Sequence, residues 1–491
     1  MPQYILRISH EHLTFRIPSL LSISQVFKFP IKIISQNKYR GLLIVELEKE
    51  EHVHSILDRH TLVLSASELL AEGSSYDDLH NDLRQHLEIL DPYKQASFKF
   101  TLEGSGHRVV EARITDIVES FDYTALEGPI RMKNPEVEFV VFEDYELEVA
   151  NTTEARFARD GKFTRVYFGR RIGMGKARLL AASHEVKHRA YYGNTSMEAH
   201  MAFLMAGQTL PAPGKIIYDP FVGTGSMLYA SAHWGAYVFG SDIDGRQIKG
   251  KMKEKEGKPG IFRAAEQYGL SDLLLDCLTY DVTKSPMRRG GWIDAIITDP
   301  PYGVRAGAKR QGRKEGAKKA LKTEPVLMPD GRYSHEMPGY QPPSRPYELA
   351  NLTLDLVQLA RYLLVPGGRL VFFLPTVTED YQEIDVPVVE GMRELKVDQG
   401  SVQDFGKWGR RLITMEKTAQ DDGVPPKFED HEEFDINNQP EHLPGHHGFR
   451  ERYATGFRSR SKSGNPSPST TTPASPPTLE PVVTVDSTNK V

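Results

Sequence analysis

The run Asp299-Pro300-Pro301-Tyr302 has the residue types needed to present an amine to an electrophile. The exocyclic amine of a nucleobase is a poor nucleophile because its lone pair is delocalised into the ring. A carboxylate and a backbone carbonyl can accept its two hydrogens, and Asp299 and the Pro300 carbonyl are suited to this role. Pro301 would stiffen the loop and Tyr302 could stack on the base. The alternative is a strand that simply ends at two prolines.

A second candidate site is the loop Asp219–Ser226 (DPFVGTGS), which follows the apolar run IIYD and precedes the apolar run MLYASAHW. Gly223 and Gly225 allow a sharp turn and a close approach of the backbone to a ligand. The third glycine of a dinucleotide-binding loop is absent, so a pyrophosphate is not favoured. The loop suits a ligand with an amino-acid moiety, whose ammonium group Asp219 could bind. The alternative is a strand-to-helix turn without a ligand.

Further along the chain, the segment Gly240-Ser241-Asp242-Ile243-Asp244 ends the next predicted strand. An acidic residue at this point can bind both hydroxyls of a ribose. Taken alone, Asp242 could equally cap the following helix. Its position after the glycine loop favours the ribose interpretation.

The candidate site residues must be positioned by the secondary structure between residues 169 and 417. In this region short apolar runs alternate with helical stretches. The predicted strands are Ile216–Asp219, Tyr237–Asp242, Leu278–Asp281, Ile293–Asp299 and Arg369–Pro375, with RELKVDQGS and RRLITMEK as a closing pair. Strand–helix alternation of this kind predicts an α/β domain, with a mostly parallel sheet covered by helices on both faces.

The two flanking regions differ from this domain in composition. Residues 1–168 predict an α+β region, with strands or strand–helix units at IPSLLSISQVFKF, YRGLLIVELE, ASFKFTLEG and PEVEFVVFEDYELEVA and a helix-rich Ser67–Leu90. Residues 418–491 become rich in acidic residues, proline and histidine, and then in serine and threonine. They predict a largely disordered tail.

Bulk properties restrict the class of protein. The 491 residues contain one cysteine, Cys277, which excludes a disulfide scaffold within the chain and disfavours a cysteine-based metal site. No apolar stretch is long enough to span a membrane and no signal peptide is evident, so an intracellular, reducing location is expected. The net charge is −5, yet positive charge is concentrated between residues 304 and 322. This basic segment either binds the RNA backbone or is a solvated insertion.

The motifs Asp219–Gly225, Asp242 and Asp299–Tyr302 resemble those of the Rossmann-like class I amino methyltransferases, whose fourth motif is [DN]PP[YF]. The resemblance implies a seven-stranded, mostly parallel sheet and S-adenosylmethionine as the cofactor. It also implies that Gly223 and Gly225 line the cofactor, that Asp242 with Ile243 holds its ribose, and that Asp281 lies near its adenine.

The stretch Tyr192–Glu198 (YGNTSME) narrows the resemblance. Taken alone, it is the start of a helix over Ser196–Gln208, with Thr195 or Ser196 as the cap. It is similar to the [GP]TSM[DE] stretch of the tRNA guanine-N2 methyltransferases, with Asn194 in place of the glycine or proline. That similarity implies that Thr195 and Ser196 contact the cofactor.

Together these motifs resemble the eukaryotic and archaeal tRNA (guanine(10)-N2)-methyltransferases, most closely the catalytic subunit of the eukaryotic enzyme. The resemblance implies a ferredoxin-like plus THUMP region over residues 1–168 that binds tRNA. It further implies a small zinc-binding activator subunit as a partner. The bulk properties described above predict a cytoplasmic location. Three alternatives stay open: a DNA adenine-N6 or cytosine-N4 methyltransferase, a guanine-N2 enzyme for another tRNA position, and an inactive RNA-binding scaffold.

Overall fold

Two large β-sheets organise the part of the chain that the structure describes. The computed structural model describes residues 1–35, 40–145, 160–250, 259–302, 307–312, 324–337, 343–377, 385–398, 400–428, 446 and 449–454. One sheet is formed before residue 175 and the other after residue 215.

The N-terminal sheet has seven strands in the order β2-β3-β1-β4-β7-β6-β5. Its strands are β1 (Gln3–Ile8), β2 (Lys32–Ile33), β3 (Leu42–Glu46), β4 (Val63–Gly73), β5 (Phe98–Ser105), β6 (Val137–Asp144) and β7 (Arg165–Met174). Its helices are α1 (Arg16–Phe27), α2 (Glu50–Arg59), α3 (Tyr76–Arg84) and α4 (Ile114–Glu119). Only β5 and β6 are parallel neighbours, so this is the α+β arrangement predicted for the region.

Two predictions of local structure in this region are wrong in part. The run IPSLLSISQVFKF, predicted as a strand or a strand–helix unit, contains no strand over residues 17–27 and forms helix α1 there, because Ile17, Leu20 and Ile23 recur at helical spacing and are buried. The start of the supposedly helix-rich Ser67–Leu90 belongs to β4, which pairs with both β1 and β7. Strand β4 contains alanine, glutamate and leucine residues, which are good helix formers. Pairing with its two neighbouring strands therefore overrides the local helix propensity.

The second sheet is the predicted α/β layer. Its strands are β8 (Ile216–Asp219), β9 (Tyr237–Asp242), β10 (Leu274–Thr279), β11 (Ile293–Thr298), β14 (Leu364–Val377), β15 (Met392–Glu394), β16 (Ser401–Asp404) and β17 (Trp408–Lys417). A separate pair is formed by β12 (Lys309–Gln311) and β13 (Ser344–Pro346). The helices are α5 (Lys176–Ser183), α6 (Ala199–Gln208), α7 (Ser226–His233), α8 (Gly245–Lys249), α9 (Gly260–Gln267), α10 (Leu349–Leu363) and α11 (Phe449–Ala454).

The strand order is β10-β9-β8-β11-β14-β17-β15, and β16 also pairs with β17. The first five strands are parallel, and β17 runs antiparallel to β14. Both faces are covered, since Ile297 packs in one apolar core and Ile296 in the other. The prediction of a mostly parallel sheet with helices on both faces is confirmed, with one strand more than seven.

Two boundaries differ from the sequence-based expectation. The strand predicted at Leu278–Asp281 is β10 at Leu274–Thr279, so Asp281 lies just beyond the strand. The predicted domain boundary after Phe168 falls within β7, which stays in the N-terminal sheet through Met174.

The two halves of the chain are joined by direct contacts. The Thr14 hydroxyl accepts a hydrogen bond from the Val402 amide at 2.9 Å, and the Ser401 hydroxyl donates to the Thr14 carbonyl at 3.1 Å. Buried Arg369 donates to the Gln25 side chain in α1 and to the Gln208 carbonyl in α6. The N-terminal domain is therefore fastened to β14 and β16 of the second sheet.

Part of the predicted tail is structured. Between residues 418 and 491 the structure describes residues 418–428, 446 and 449–454, and the last of these form helix α11, in which Phe449 is buried. The other residues of the predicted disordered tail lie outside the described part of the chain. Among the described residues, no helix combines the length and apolar character needed to cross a bilayer.

Candidate active site

A cavity of about 1440 Å³ lies at the carboxyl ends of β8, β9 and β11. Parallel strands bring their carboxyl ends to one edge, which is where α/β sheets bind ligands. Ten of the twelve predicted site residues line it, namely Thr195, Ser196, Gly223, Asp242, Ile243, Asp281, Asp299, Pro300, Pro301 and Tyr302. The volume exceeds the usual 300–1,000 Å³ of small-ligand pockets, so it has room for two ligands at once.

The glycine loop after β8 is shaped by its own backbone bonds. The Gly225 amide donates to the Val222 carbonyl at 2.8 Å, and both Gly223 and Gly225 have positive φ, +51° and +84°. A Cβ on Gly223 would lie 3.2 Å from the Thr195 hydroxyl oxygen. A Cβ on Gly225 would instead lie 2.9 Å from the Tyr229 hydroxyl oxygen, away from the cavity wall. Gly223 thus faces the cavity, whereas Gly225 permits the turn into α7.

The stretch before α6 packs directly on this loop. The Ser196 hydroxyl lies 2.8 Å from that of Thr224, and the Met197 amide donates to the Ser226 hydroxyl at 3.0 Å. Helix α6 begins at Ala199 with Glu198 as its N-cap, so the predicted capping by Thr195 or Ser196 is wrong. The Ser196 hydroxyl accepts from the Gly193 amide instead. These contacts place Thr195 and Ser196 against the glycine loop, where they line the cavity.

Asp219 is fully buried beneath the glycine loop and is not on the cavity wall. One carboxylate oxygen accepts hydrogen bonds from the Phe221 amide at 3.0 Å and the Thr298 hydroxyl at 2.7 Å. The other oxygen has no hydrogen-bond partner among the described residues. Burial raises the pKa of Asp219 to about 8, although both hydrogen bonds lower it. The predicted contact between Asp219 and a ligand ammonium group does not fit this placement, because the carboxylate lies beneath the loop and supports it through the Phe221 amide.

The raised pKa of Asp219 predicts a pH-dependent stability. An aspartate in an unfolded chain has a pKa of about 4, so the folded state binds more protons than the unfolded state between about pH 4 and 8. The free energy of unfolding should therefore fall as the pH rises towards 8. We expect Asp219→Asn to flatten this decline between pH 6 and 8, as measured by urea denaturation. Exposed Asp272→Asn is the control, and an unchanged slope in Asp219→Asn would contradict the assignment.

Asp242 and Asp281 line the cavity on the cofactor side of the predicted site. The Asp242 carboxylate accepts from the Gly223 amide at 3.0 Å and the Asp244 amide at 2.8 Å, and burial raises its pKa to about 6. The Asp281 carboxylate accepts from the Thr283 amide at 2.9 Å and from the Gln311 amide. Because a carboxylate has about four acceptor positions, both groups can still bind hydroxyl or amine hydrogens of a ligand. The residues present therefore fit a nucleoside with an amino-acid arm.

Asp299 and Tyr302 are held together by an arginine that the sequence analysis did not identify. Arg410 in β17 donates to the Asp299 carboxylate at 2.9 Å and to the Tyr302 hydroxyl at 3.1 Å. Its guanidinium also lies 4.2 Å from the centre of the Phe373 ring. Burial lowers the pKa of Arg410, but Asp299, Tyr302 and Glu198 together outweigh burial and the pKa is raised. Arg410 is thus a charged positioning group for the Asp-Pro-Pro-Tyr loop.

Three aromatic residues on the cavity wall were also missed. They are Phe405, Trp408 and Tyr453. Trp408 begins β17 opposite Val377 at the end of β14, so it reaches the same sheet edge as Asp299. Along the sequence these residues look like ordinary strand and tail residues. A prediction that β17 runs antiparallel would have placed Trp408 and Arg410 at this edge.

The basic segment at residues 304–322 is described only at residues 307–312, and its other residues lie outside the described part of the chain. Lys309 lines the cavity, and the Arg310 guanidinium lies 5.3 Å from the centre of the Tyr347 ring. Through the Gln311 amide this segment contacts Asp281. Its described part therefore lies at the cavity beside Asp281.

Comparisons with known proteins give two family models and several relatives that this chain matches. Residues 2–177 match the family model described as the Tmrp11 THUMP N-terminal domain, and residues 187–315 match that of an RMKL-like methyltransferase domain. The tRNA (guanine(10)-N(2))-methyltransferase of Saccharomyces cerevisiae is 36% identical over 84% of this chain and 92% of its own length. The protein of the same name, TRMT11, from Homo sapiens is 32% identical over 92% of this chain and 95% of its own. Among solved structures, TrmN from Thermus thermophilus is 16% identical with a TM-score of 0.41, covering 84% of this chain and 99% of that one.

Proposed function

The chain belongs to the tRNA (guanine(10)-N2)-methyltransferase family, and from this membership and the site we propose that it methylates N2 of guanosine 10 in tRNA. The observation that carries the proposal is the single cavity shared by the glycine loop, Asp242 and the Asp-Pro-Pro-Tyr loop. That arrangement supports binding of a nucleoside-type methyl donor and of the acceptor amine side by side, as transfer between them requires.

S-adenosylmethionine is the proposed methyl donor, and when bound it supplies an electrophilic methyl group on a positively charged sulfur. Gly223 permits close approach of the backbone, and Asp242 with Ile243 would hold the ribose. Asp281 would face the adenine amine, and Asp219 would support the glycine loop from beneath through its hydrogen bond with the Phe221 amide. Thr195, Ser196 and Gly225 shape the same wall, Gly225 through the turn that it permits.

The acceptor amine would be held by the Asp-Pro-Pro-Tyr loop. The Asp299 carboxylate and the Pro300 carbonyl would each accept one of its hydrogens, which keeps electron density on the nitrogen as it attacks. Pro301 limits the motion of the loop and Tyr302 packs on the base. The Asp299 carboxylate also stabilises the positive charge that develops on the amine, and can take the released proton.

The N-terminal domain is proposed to bind the tRNA. The family model over residues 2–177 and the continuous sheet that ends at Met174 support a domain boundary between residues 174 and 187. The methyltransferase domain then runs to about Lys417, where β17 ends, and the segment from residue 418 includes α11.

A small zinc-binding activator subunit is proposed as a partner on the same family membership. The edge strand β10 supports such a contact, because it ends the order of the second sheet and exposes Leu275 by 53% and Leu278 by 40%. Apolar edge strands are typical sites for pairing with another chain.

The function is tested by methyl transfer from labelled S-adenosylmethionine to unmodified tRNA transcripts, with and without the activator, followed by nucleoside analysis. We expect N2-methylguanosine, and none when guanosine 10 is replaced by inosine, which lacks only the exocyclic amine. Product on that inosine transcript would move the target to another position. Methylated adenine or cytosine on duplex DNA, without a tRNA product, would replace the proposed substrate.

A further inference from the structure

A group of aromatic side chains lies beyond Asp299 in the same cavity. The hairpin between β16 and β17 carries Phe405 and Trp408, whose ring centres are 4.5 Å apart and tilted by 31°. The Trp408 ring centre is 6.4 Å from that of Tyr302. We call Phe405, Trp408 and Tyr453 the aromatic wall.

Helix α11 completes this wall from the C-terminal segment. Buried Phe449 packs edge-on against Trp408 at 5.4 Å and against Tyr302 at 6.1 Å. In the same helix, the ring centre of Tyr453 lies 5.8 Å from that of Trp408, and the two rings are perpendicular. A segment that composition assigns to a solvated tail thus reaches the catalytic loop.

The outer members of the wall are not ordinary core residues. Phe405 is 46% exposed and Tyr453 is 37% exposed, and both face the cavity. Burying their remaining apolar surface would be favourable, and planar bases are ligands that aromatic walls bind by stacking. The turn that carries Phe405 has one exposed acid, Asp404, and one exposed base, Lys407, so net charge does not select the ligand.

The order of strands places the wall on the side of Asp299 away from the cofactor. Asp242 ends β9 and Asp299 follows β11, with β8 between the two strands, while Trp408 begins β17 two strands beyond β11. At the usual strand spacing Trp408 lies roughly 10 Å along the edge from the end of β11. An acceptor that reaches Asp299 with the cofactor on one side must extend over the wall on the other.

We propose that the aromatic wall is a stacking site for a base of the substrate RNA that neighbours the target nucleotide, and that α11 is required to form it. This proposal rests on the proposed tRNA methyltransferase function. A stacking site tolerates different bases, so the wall would contribute affinity rather than choice of sequence.

The kinetic test uses Phe405→Ala and Tyr453→Ala in the full-length protein. We expect the KM for tRNA to rise by about 5- to 100-fold for each, with a much smaller change in kcat and unchanged cofactor affinity. Phe405→Tyr and Tyr453→Phe should keep the wild-type KM. Tyr237→Ala, at a similarly exposed tyrosine outside the cavity, is the matched control. Unchanged KM values in both alanine variants would overturn the proposal.

A binding test separates this proposal from the proposed function. Stacking of an RNA base on Trp408 should quench its fluorescence when an unmodified tRNA transcript is added, and Trp408→Phe should remove the quenching while leaving the signals of Trp234 and Trp292. Absence of quenching in the wild type would overturn the proposal even if methyl transfer is observed. Quenching by the activator subunit instead of RNA would assign the wall to a protein contact and also overturn it. Failure of the proposed function appears only as missing N2-methylguanosine from the wild type.

Discussion

Asp299→Asn is expected to lower kcat for methyl transfer by roughly 100- to 1000-fold while leaving cofactor affinity unchanged. The amide keeps the shape of the side chain and can still accept the hydrogen bond from Arg410. It removes the negative charge that would stabilise the acceptor amine as positive charge develops on nitrogen. Gly223 and Asp242 are untouched, so the cofactor should bind normally. Single-turnover kinetics with labelled cofactor, together with calorimetric binding of the cofactor, measure both quantities.

The control for this variant is Asp272→Asn, which removes an exposed carboxylate outside the cavity. It should retain wild-type kinetics. If Asp299→Asn keeps kcat within about fivefold of wild type, its carboxylate is not the group that polarises the amine. Cofactor affinity that falls in parallel with kcat would instead indicate damage to the whole cavity.

Arg410→Leu is expected to lower both stability and activity. Removing one partner of a largely buried ion pair leaves the other charge uncompensated, and the side chains of Arg410 and Asp299 are 11% and 21% exposed. We expect a loss on the order of 3 kcal/mol in the free energy of unfolding, measured by urea denaturation. We also expect kcat to fall by at least about tenfold, because the Asp299 carboxylate and the Tyr302 hydroxyl lose their common donor.

A double variant distinguishes positioning from a merely structural role. In Arg410→Leu/Asp299→Asn the uncompensated charge is gone, so much of the stability should return while activity stays low. Arg393→Leu removes an exposed arginine paired with Glu416 in the neighbouring strand and should cost no more than about 1 kcal/mol. A stable and fully active Arg410→Leu would show that the Asp-Pro-Pro-Tyr loop keeps its geometry without the arginine.

Part of the site was predictable because its residues lie at the ends of strands. Asp219, Asp242 and Asp299 each end or directly follow a short apolar run, and such runs are recognisable one at a time. A parallel sheet then brings their ends together. Asp219 shows the limit of this reasoning, since the motif indicates its importance but not that its carboxylate is buried beneath the loop rather than on the wall.

The groups that surround Asp299 were not predictable, because contacts between distant parts of the chain bring them there. Arg410 reaches Asp299 across 111 positions, and only the antiparallel register of β17 brings it there. Phe449 and Tyr453 belong to a segment whose polar composition predicts disorder, although one short helix is held by three aromatic contacts. The composition of a segment indicates how much apolar surface it can bury by itself. It does not indicate which neighbouring surface the segment can pack against.

The hydrogen bonds between Thr14 and the start of β16 have a consequence for target selection. Strand β16 runs from its contact with the N-terminal domain to Asp404, beside the aromatic wall. If the N-terminal domain holds the tRNA as proposed, the four residues of β16 would set the distance between the bound part of the tRNA and the reacting base. The modified nucleotide would then be chosen by its distance from the gripped part of the tRNA. Lengthening β16 would move the methylation site instead of abolishing methylation.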